Sequence, residues 1–128
     1  MGIDEWLEAY RRAWEERDPE AAAALFTEDA EYLDNIYGEP HRGKDGVRDY
    51  WAGVTASQGD VSVRMGKPFG DGRRVAAEFW TNMSVEGAPV TLAGCLLLEF
   101  DESGLCRRLR EYWQFTENTV EPPPVWGD

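Results

Sequence analysis

Hydrophobic positions recur with a helical period in the first part of the chain. Residues 3–17 carry an apolar stripe opposite a charged face and predict an amphipathic helix. The Asp-Pro pair at 18–19 predicts a new helix start, because Asp is a favoured N-cap and Pro suits the first helical position. This second, alanine-rich helix should span residues 19–26. A short strand over 30–34 and a third helix over 44–54 follow.

After Gly59 the pattern changes to a period of two, which predicts strands. Alternating runs cover residues 61–69, 73–86, 89–100 and 105–117, and glycine-containing turns separate most of them. Four such strands predict an antiparallel meander, and helices on one face of it make an α+β domain. A strongly curved sheet covered by only three helices leaves a cone open at one end, where ligand cavities are common.

The bulk properties fit one globular domain. With 128 residues the chain can bury a core of its own. We assign residues 1–118 to this domain and residues 119–128 to a proline-rich tail, which we expect to be extended or poorly ordered. The net charge of −12 argues against a nucleic-acid partner and an anionic membrane surface, because phosphates would be repelled.

The sequence also argues against several cofactors and cross-links. A hairpin turn between residues 100 and 105 should place Cys95 opposite a residue near 110, not opposite Cys106, so we expect no disulfide. A single histidine and no clustered cysteines argue against a metal site. There is no P-loop, dinucleotide fingerprint or nucleophile elbow, so no cofactor is expected. The acidic N-terminus shows no signal peptide and the apolar runs are short, which fits a cytoplasmic protein.

Three segments carry a family resemblance: DPEAAAALFTEDAEYLD at 18–34, HRGKDGV at 41–47 and LEFDESGLCRRLREYW at 98–113. In this order and at this spacing, residues 3–118 resemble the nuclear transport factor 2-like superfamily, also called SnoaL-like or ketosteroid-isomerase-like. The resemblance implies a cone-shaped half-barrel of a curved, mainly antiparallel sheet covered by three N-terminal helices. It also implies a mostly apolar pocket and a homodimer packed through the outer sheet face.

The resemblance further implies roles for individual residues. Ketosteroid isomerases use a tyrosine on the first helix and an aspartic acid on a late strand as an oxyanion hole, and an aspartate after the first strand as a proton shuttle. By position, Tyr10 matches the tyrosine and Asp34 matches the shuttle. The third place falls near Leu96, which cannot donate a hydrogen bond, so authentic steroid isomerisation is not expected. SnoaL-like polyketide cyclases and limonene epoxide hydrolases use the same cone with other polar sets.

Asp34 and Tyr10 each have a structural alternative. Asp34 ends the predicted strand before a loop, where it could act as a base at the mouth of the pocket. Alternatively it is a turn residue, because Asp-Asn is common in loops. Tyr10 lies on the apolar stripe of the first helix, so it could equally be a core residue whose hydroxyl reaches a partner.

Glu111 is the least expected polar residue. It falls between Leu109 and Trp113 on the more apolar face of the last strand, and a buried acid needs a partner or must stay neutral. It could divide acid and base roles with Asp34. The alternatives are a reversed parity, an arginine partner or a capping hydroxyl. His41 is a candidate proton shuttle, or else an incidental loop histidine.

Large apolar side chains on the predicted inner faces are candidate pocket walls, although most should be ordinary core. They are Trp6, Trp14, Tyr50, Trp51, Phe79, Met83, Leu96 and Trp113. So many rings suit a flat apolar or aromatic ligand. Trp80 falls on the opposite strand face, where an exposed tryptophan would mark an association surface.

The leading hypothesis is a cofactor-independent enzyme that isomerises, cyclises or hydrates a small hydrophobic molecule. Polyketide-, steroid- and terpenoid-like molecules all fit the expected pocket. Two alternatives are a non-catalytic binding module of the same fold and a dimerisation domain whose own side chains fill the pocket.

Overall fold

The structure, a computed structural model, describes all residues from Met1 to Asp128. Three helices occur in the first half of the chain: α1 (Ile3–Glu15), α2 (Pro19–Ala23) and α3 (Gly43–Thr55). The strands are β1 (Phe26–Leu33), β2 (His41–Arg42), β3 (Gln58–Met65), β4 (Phe69–Gly70), β5 (Arg74–Val85), β6 (Ala88–Phe100) and β7 (Cys106–Glu117). None of the helices is long and apolar enough to cross a membrane.

The strands form one curved, unclosed sheet in the order β2-β1-β7-β6-β5-β3, with β4 paired to β5. The stretch from β3 to β7 is the predicted antiparallel meander. β1 joins it by running parallel to β7. The three helices cover the sheet, so the prediction of an α+β cone is confirmed.

Two element boundaries differ from the prediction. The second helix ends at Ala23, and Phe26 already begins β1, where its ring is fully buried beneath α1. The strand predicted over 61–69 is broken after Met65, because Pro68 has no N–H to give to a ladder. The chain pairs with β5 again only at β4.

The core lies between the helices and the inner face of the sheet. α1 directs Trp6, Tyr10 and Trp14 into it, and the Trp6 and Tyr10 rings stack with their centroids 5.3 Å apart. The Trp6 indole N–H donates to the backbone oxygen of Leu25 at 2.9 Å, which ties α1 to the segment before β1. Aromatic rings therefore fill much of the cone.

At the start of β7 the side chains face the opposite way from what the alternation along the strand predicts. The register of the β6–β7 pair shifts between Glu99 and Phe100, so Arg107 is left over as the extra residue of a bulge. Cys106 is therefore buried and Arg107 is exposed, whereas a strict alternation with Leu109 and Glu111 would place Arg107 inside. Both cysteines are free, as expected.

The C-terminal tail, residues 119–128, contains no helix or strand, and hydrogen bonds hold it against the domain as a strap. It folds back over the outer face of the sheet. The Trp80 indole N–H donates to the backbone oxygen of Val120 at 2.9 Å, and the backbone N–H of Lys67 donates to Gly127 at 2.7 Å. A Cβ atom on Gly66 would lie 3.1 Å from the Cα atom of Gly127, so a larger residue at position 66 would push the strap away by a few tenths of an ångström.

Trp126 is the main side-chain anchor of the strap. Its ring meets Trp80 edge to face at a centroid distance of 5.8 Å, and the Arg64 guanidinium lies 5.6 Å from its centre. Trp80 is consequently half-buried. The prediction that Trp80 is an exposed association surface is wrong, because the strap covers it.

We expect Trp126→Ala to lower the free energy of unfolding by about 1–2 kcal/mol, less than a fully buried ring would lose, because Trp126 is only half-buried. Urea unfolding followed by far-ultraviolet circular dichroism measures this change. Glu121→Ala, an exposed position of the same strap, should leave the unfolding free energy within about 0.5 kcal/mol of the wild type. Equal stability of both variants would show that the strap does not dock in solution.

Candidate functional site

A cavity of about 200 Å³ lies inside the cone. Its walls come from both layers of the fold: α1 and α3 in the helical layer and the inner face of the sheet. The lining residues are Tyr10, Trp14, Tyr32, Tyr50, Trp51, Val54, Thr55, Gln58, Leu92, Glu111, Trp113 and Phe115. Val54, Trp113 and Phe115 are 37%, 43% and 54% exposed, which places the mouth between the end of α3 and the second half of β7.

A hydrogen-bond chain of three side chains runs through the deeper wall. The Tyr32 hydroxyl on β1 donates to Oε1 of Glu111 on β7 at 2.9 Å. The Tyr10 hydroxyl on α1 lies 3.0 Å from that of Tyr32. Because Tyr32 gives its proton to the carboxylate, Tyr10 donates to Tyr32. All three side chains are buried, so the chain crosses from helix to sheet inside the fold.

Burial governs the ionisation of this chain. It raises the pKa of Glu111 to about 7; the Tyr32 hydrogen bond opposes that rise, and the Asp34 carboxylate adds to it. Burial and the charge of Glu111 also raise the pKa of both Tyr10 and Tyr32 well above the usual range. The two tyrosines therefore remain donors, while the carboxyl is close to half-protonated at neutral pH. Such a group can give or take a proton under ordinary conditions.

Asp34 and His41 form a second polar pair beside the cavity. Asp34 directly follows β1, and its Oδ1 lies 2.8 Å from Nε2 of His41 on β2. The His41 ring stacks on Tyr50 at 4.3 Å, and Tyr50 lines the cavity. The backbone oxygen of Asp34 accepts a bond from the Trp113 indole at 2.7 Å, which fixes this loop to the cavity mouth. Neither Asp34 nor His41 is itself a lining residue.

Among the predicted walls, Trp14, Tyr50, Trp51 and Trp113 line the cavity. Trp6, Phe79, Met83 and Leu96 do not; they are buried in the surrounding core. The Trp6 ring stacks on Tyr10, which lines the cavity, and its other neighbours are the core rings Phe26 and Phe100, so Trp6 packs behind the cavity wall. Some aromatic rings on the inner face therefore line the cavity, and others only pack in the core.

The structure places Glu111 beside Leu96, the position where ketosteroid isomerases have an aspartic acid and this chain does not. Leu96 on β6 and Glu111 on β7 are direct cross-strand partners, so their side chains share the inner face. The inward orientation predicted for Glu111 is correct, and its capping hydroxyl is Tyr32 rather than an arginine. Sequence analysis missed Tyr32, although Tyr32 and Asp34 alternate on one face of the predicted strand.

Gln58 is a second lining residue that sequence analysis missed. It lies before the predicted start of its strand, so no alternation marked it. In the structure Gln58 begins β3, and its Oε1 accepts the indole N–H of Trp14 at 3.0 Å. No group of three or more His, Cys, Asp or Glu side chains is arranged to hold a metal ion.

The neutral form of Glu111 should make the stability of this fold depend on pH. The folded chain keeps the proton up to about pH 7, whereas the unfolded chain releases it near the ordinary pKa of 4.5. The stability that the neutral carboxyl gives is complete below pH 4.5 and is lost as the pH rises to about 7. At about 1.4 kcal/mol for each pH unit between these values, the loss is about 3 kcal/mol.

We therefore compare the unfolding free energies of Glu111→Gln and the wild type at about pH 4 and about pH 8. The difference should shift by about 3 kcal/mol in favour of Glu111→Gln between these values, because Gln cannot ionise. Urea unfolding of both proteins across this range measures the difference. Glu28→Gln, an exposed acid on β1, should follow the wild-type curve. Parallel curves for Glu111→Gln and wild type would mean that Glu111 titrates as an ordinary carboxyl.

Comparisons with known proteins agree with this architecture. The family described as SnoaL-like domain matches residues 7–109. A comparison with curated proteins finds no match. Among solved structures, a hypothetical protein with a ketosteroid isomerase-like fold from Catenulispora acidiphila, in complex with trimethylamine, is 24% identical. That alignment covers 84% of each chain, with a TM-score of 0.76.

Two further solved structures are enzymes with the same fold. SalBIII, an epoxide hydrolase/cyclase-like enzyme with a role in pyran ring formation in the polyether salinomycin, is 20% identical over 89% of this chain and 94% of its own, with a TM-score of 0.76. An LEH-like epoxide hydrolase from M. tuberculosis is 21% identical over 86% of this chain and 80% of its own, with a TM-score of 0.70. At these identities the likeness establishes the fold alone.

Proposed function

The chain belongs to the SnoaL-like family, and from this premise we propose that it is a cofactor-independent acid–base enzyme acting on a small hydrophobic molecule. The observation that carries the proposal is Glu111, a buried carboxyl with a pKa of about 7 in the wall of an open aromatic cavity. Burying a carboxyl without a cationic partner is unfavourable for stability. A role in chemistry accounts for its presence there.

Glu111 and Asp34 lie in different environments, which supports one acting as the acid and the other as the base. Glu111 is buried and holds its proton near neutrality, so it serves as the acid that hydrogen-bonds a reacting oxygen. Tyr10 and Tyr32 are protonated donors in line with it. Asp34 lies beside the cavity mouth rather than in the cavity wall, so it serves as the base for a substrate group or a water molecule at that mouth, with His41 as its hydrogen-bond partner.

The reaction needs no oxidant or reductant. In an isomerisation, Asp34 takes a proton from carbon, Glu111 stabilises the enolate oxygen by donating a hydrogen bond, and Asp34 returns the proton to another carbon of the same molecule. In a hydration, Asp34 takes a proton from water while that water forms a C–O bond to an epoxide carbon. The ring C–O bond breaks, the freed oxygen takes the Glu111 proton, and the Asp34 proton then replaces it through solvent. In a cyclisation, a hydroxyl of the substrate attacks in place of the water.

The size of the cavity supports a compact substrate. Its volume of about 200 Å³ lies below the roughly 300–1,000 Å³ typical of pockets for drug-sized ligands. Nine of its twelve lining residues are hydrophobic, so the ligand should be largely apolar. A small polyketide- or terpenoid-like molecule satisfies both conditions better than a four-ring steroid.

We expect the protein to catalyse deuterium incorporation next to the carbonyl of small cyclic ketones, or hydration of small epoxides, followed by NMR in D₂O. Asp34→Asn and Glu111→Gln should each lower the rate by about 10²–10⁴ while the ligand still binds, because each removes one proton-transfer group. The wild-type kcat/KM should fall as the pH rises through about 7, where Glu111 loses its proton, and Glu111→Gln should lack this fall.

Glu28→Gln is the matched control, since it removes an exposed carboxyl from the same strand as Tyr32 and should keep full activity. An unchanged rate in Asp34→Asn would eliminate Asp34 as the base. Binding without turnover of any ketone or epoxide would favour the non-catalytic alternative.

A homodimer through the outer sheet face is part of the proposal. The strap covers Trp80, but the groove around Phe69, Leu97 and Arg110 stays open. Phe69 is 61% exposed, and the Nε atom of Arg110 is buried with no hydrogen-bond partner. An apolar ring beside an unpaired donor suits a two-fold contact with a second copy.

We expect sedimentation velocity to show a dimer that Phe69→Glu converts to monomer, because the new charge would be buried in the contact. Phe115→Glu places the same charge at the cavity mouth and should leave the dimer intact. A wild-type monomer at about 100 μM, or equal dissociation in both variants, would contradict this interface.

A further inference from the structure

We propose that the cavity also binds a small organic cation, an alkylated ammonium ion, surrounded by its aromatic side chains and paired with the Glu111 carboxylate. The inference goes beyond the proposed function, because that function uses the protonated form of Glu111 and cation binding uses the ionised form. It adds a second class of ligand for the same cavity and does not require that the protein catalyse a reaction.

Aromatic rings make up most of the cavity wall. Seven of the twelve lining residues are aromatic, among them Tyr10, Trp14, Trp51 and Phe115. The rings of Tyr10, Trp14 and Trp51 meet one another at interplanar angles between 66° and 84°, so they enclose the space from several directions instead of forming one stack. Several aromatic rings around one point form the kind of site in which proteins recognise alkylated ammonium groups.

The only charged group in this wall is negative. The lining residues that are not hydrophobic are Thr55, Gln58 and Glu111. The Thr55 hydroxyl donates to the backbone oxygen of Trp51, and the Gln58 side-chain oxygen accepts the indole N–H of Trp14. No arginine, lysine or histidine lines the cavity, so no lining side chain repels a cation. The net charge of −12 adds a long-range attraction for cations.

One oxygen of Glu111 is free to meet a ligand. Its Oε1 atom accepts the hydrogen bond from Tyr32, whereas its Oε2 atom has no hydrogen-bond partner in the protein and is not fully buried. Because Glu111 is 9% exposed and lies in the cavity wall, this oxygen is accessible from the cavity. An ammonium ion inside the cavity can therefore pair with the carboxylate and contact the aromatic rings at the same time.

The protonation of Glu111 should control this binding. The titratable groups that face Glu111 carry no positive charge; they are Tyr10 on α1, Tyr32 on β1, Tyr50 on α3 and Asp34 after β1. Its cross-strand partner on β6 is the apolar Leu96. Burial raises the pKa of Glu111 to about 7, so the carboxyl is mostly neutral at about pH 6 and mostly ionised at about pH 8. A cation favours the ionised form, so its affinity should rise about tenfold between these values.

Choline and 3,3-dimethyl-1-butanol test the inference, because they have the same shape and differ only in the replacement of the charged nitrogen by carbon. Calorimetric titration at about pH 8 should show at least about tenfold tighter binding of choline. Choline should bind about tenfold more tightly at about pH 8 than at about pH 6, whereas the affinity for the alcohol should not rise. At about pH 6, titrations in buffers of different ionisation enthalpy should show about one proton released for each choline bound.

Glu111→Gln tests the charge, and it should remain folded at about pH 8 because Gln cannot ionise. It should weaken choline at least about tenfold at this pH and remove the pH dependence, while 3,3-dimethyl-1-butanol changes less than about twofold. Glu28→Gln is the matched control, because it removes an exposed carboxyl that does not line the cavity. It should bind choline as the wild type does.

Phe115→Leu tests the rings separately from the charge. Phe115 is 54% exposed at the cavity mouth, so the loss of its ring should leave the fold intact. This variant should weaken choline about two- to fivefold and the alcohol less. Phe69→Leu removes a similarly exposed ring from the outer sheet face and should leave choline binding unchanged.

Equal affinities for choline and 3,3-dimethyl-1-butanol at about pH 8 would overturn the inference. A choline affinity that does not change between about pH 6 and about pH 8 would overturn it as well, and so would the failure of choline to bind at millimolar concentration. A larger loss in Asp34→Asn than in Glu111→Gln would place the cation at Asp34 and contradict the pairing with Glu111. None of these measurements requires turnover. Full activity in Asp34→Asn and Glu111→Gln, which would contradict the proposed function, would therefore remain a separate result.

Discussion

The hydrogen bond from Tyr32 to Glu111 is the constraint on which the rest of the site depends. A carboxyl group inside an aromatic cone must accept a hydrogen bond or stay neutral. Glu111 accepts a hydrogen bond from Tyr32, and its raised pKa also keeps it partly protonated at neutral pH. The donor is available because β1 runs parallel to β7 and brings its inner face beside that of the last strand. α1 then adds Tyr10, which completes a chain from helix to sheet. Helices, sheet order and site chemistry are thus linked through one carboxyl group.

Under the proposed function, this arrangement exchanges stability for reactivity. Above about pH 7 the folded chain must carry a buried charge, and the surrounding aromatic packing has to offset that cost. An apolar residue at position 111 would fit between Leu96 and the rings without any such cost. Places where a protein breaks its own packing rule are often functional sites. Glu111 is such a place, and it lies in the wall of the cavity.

The spacing of hydrophobic residues predicted most of the fold, because helices and strands of this length can be recognised from a short window of sequence. It also predicted that Glu111 faces inward, since the alternation is undisturbed beyond the bulge. The bulge at Arg107 was missed because it depends on how two strands pair. The docking of Trp126 on Trp80 was missed for a similar reason, as these residues lie far apart in the chain. Tyr32, by contrast, could have been found from its alternation with Asp34.

Trp113 connects the two halves of the proposed mechanism. It lies on β7 two residues after Glu111, and its indole N–H holds the backbone oxygen of Asp34 at 2.7 Å. The loop that carries the proposed base is therefore fixed to the strand that carries the proposed acid. The ring of Trp113 also forms part of the cavity mouth. In the proposed mechanism, one side chain therefore both lines the entrance of the cavity and sets the spacing of base and acid.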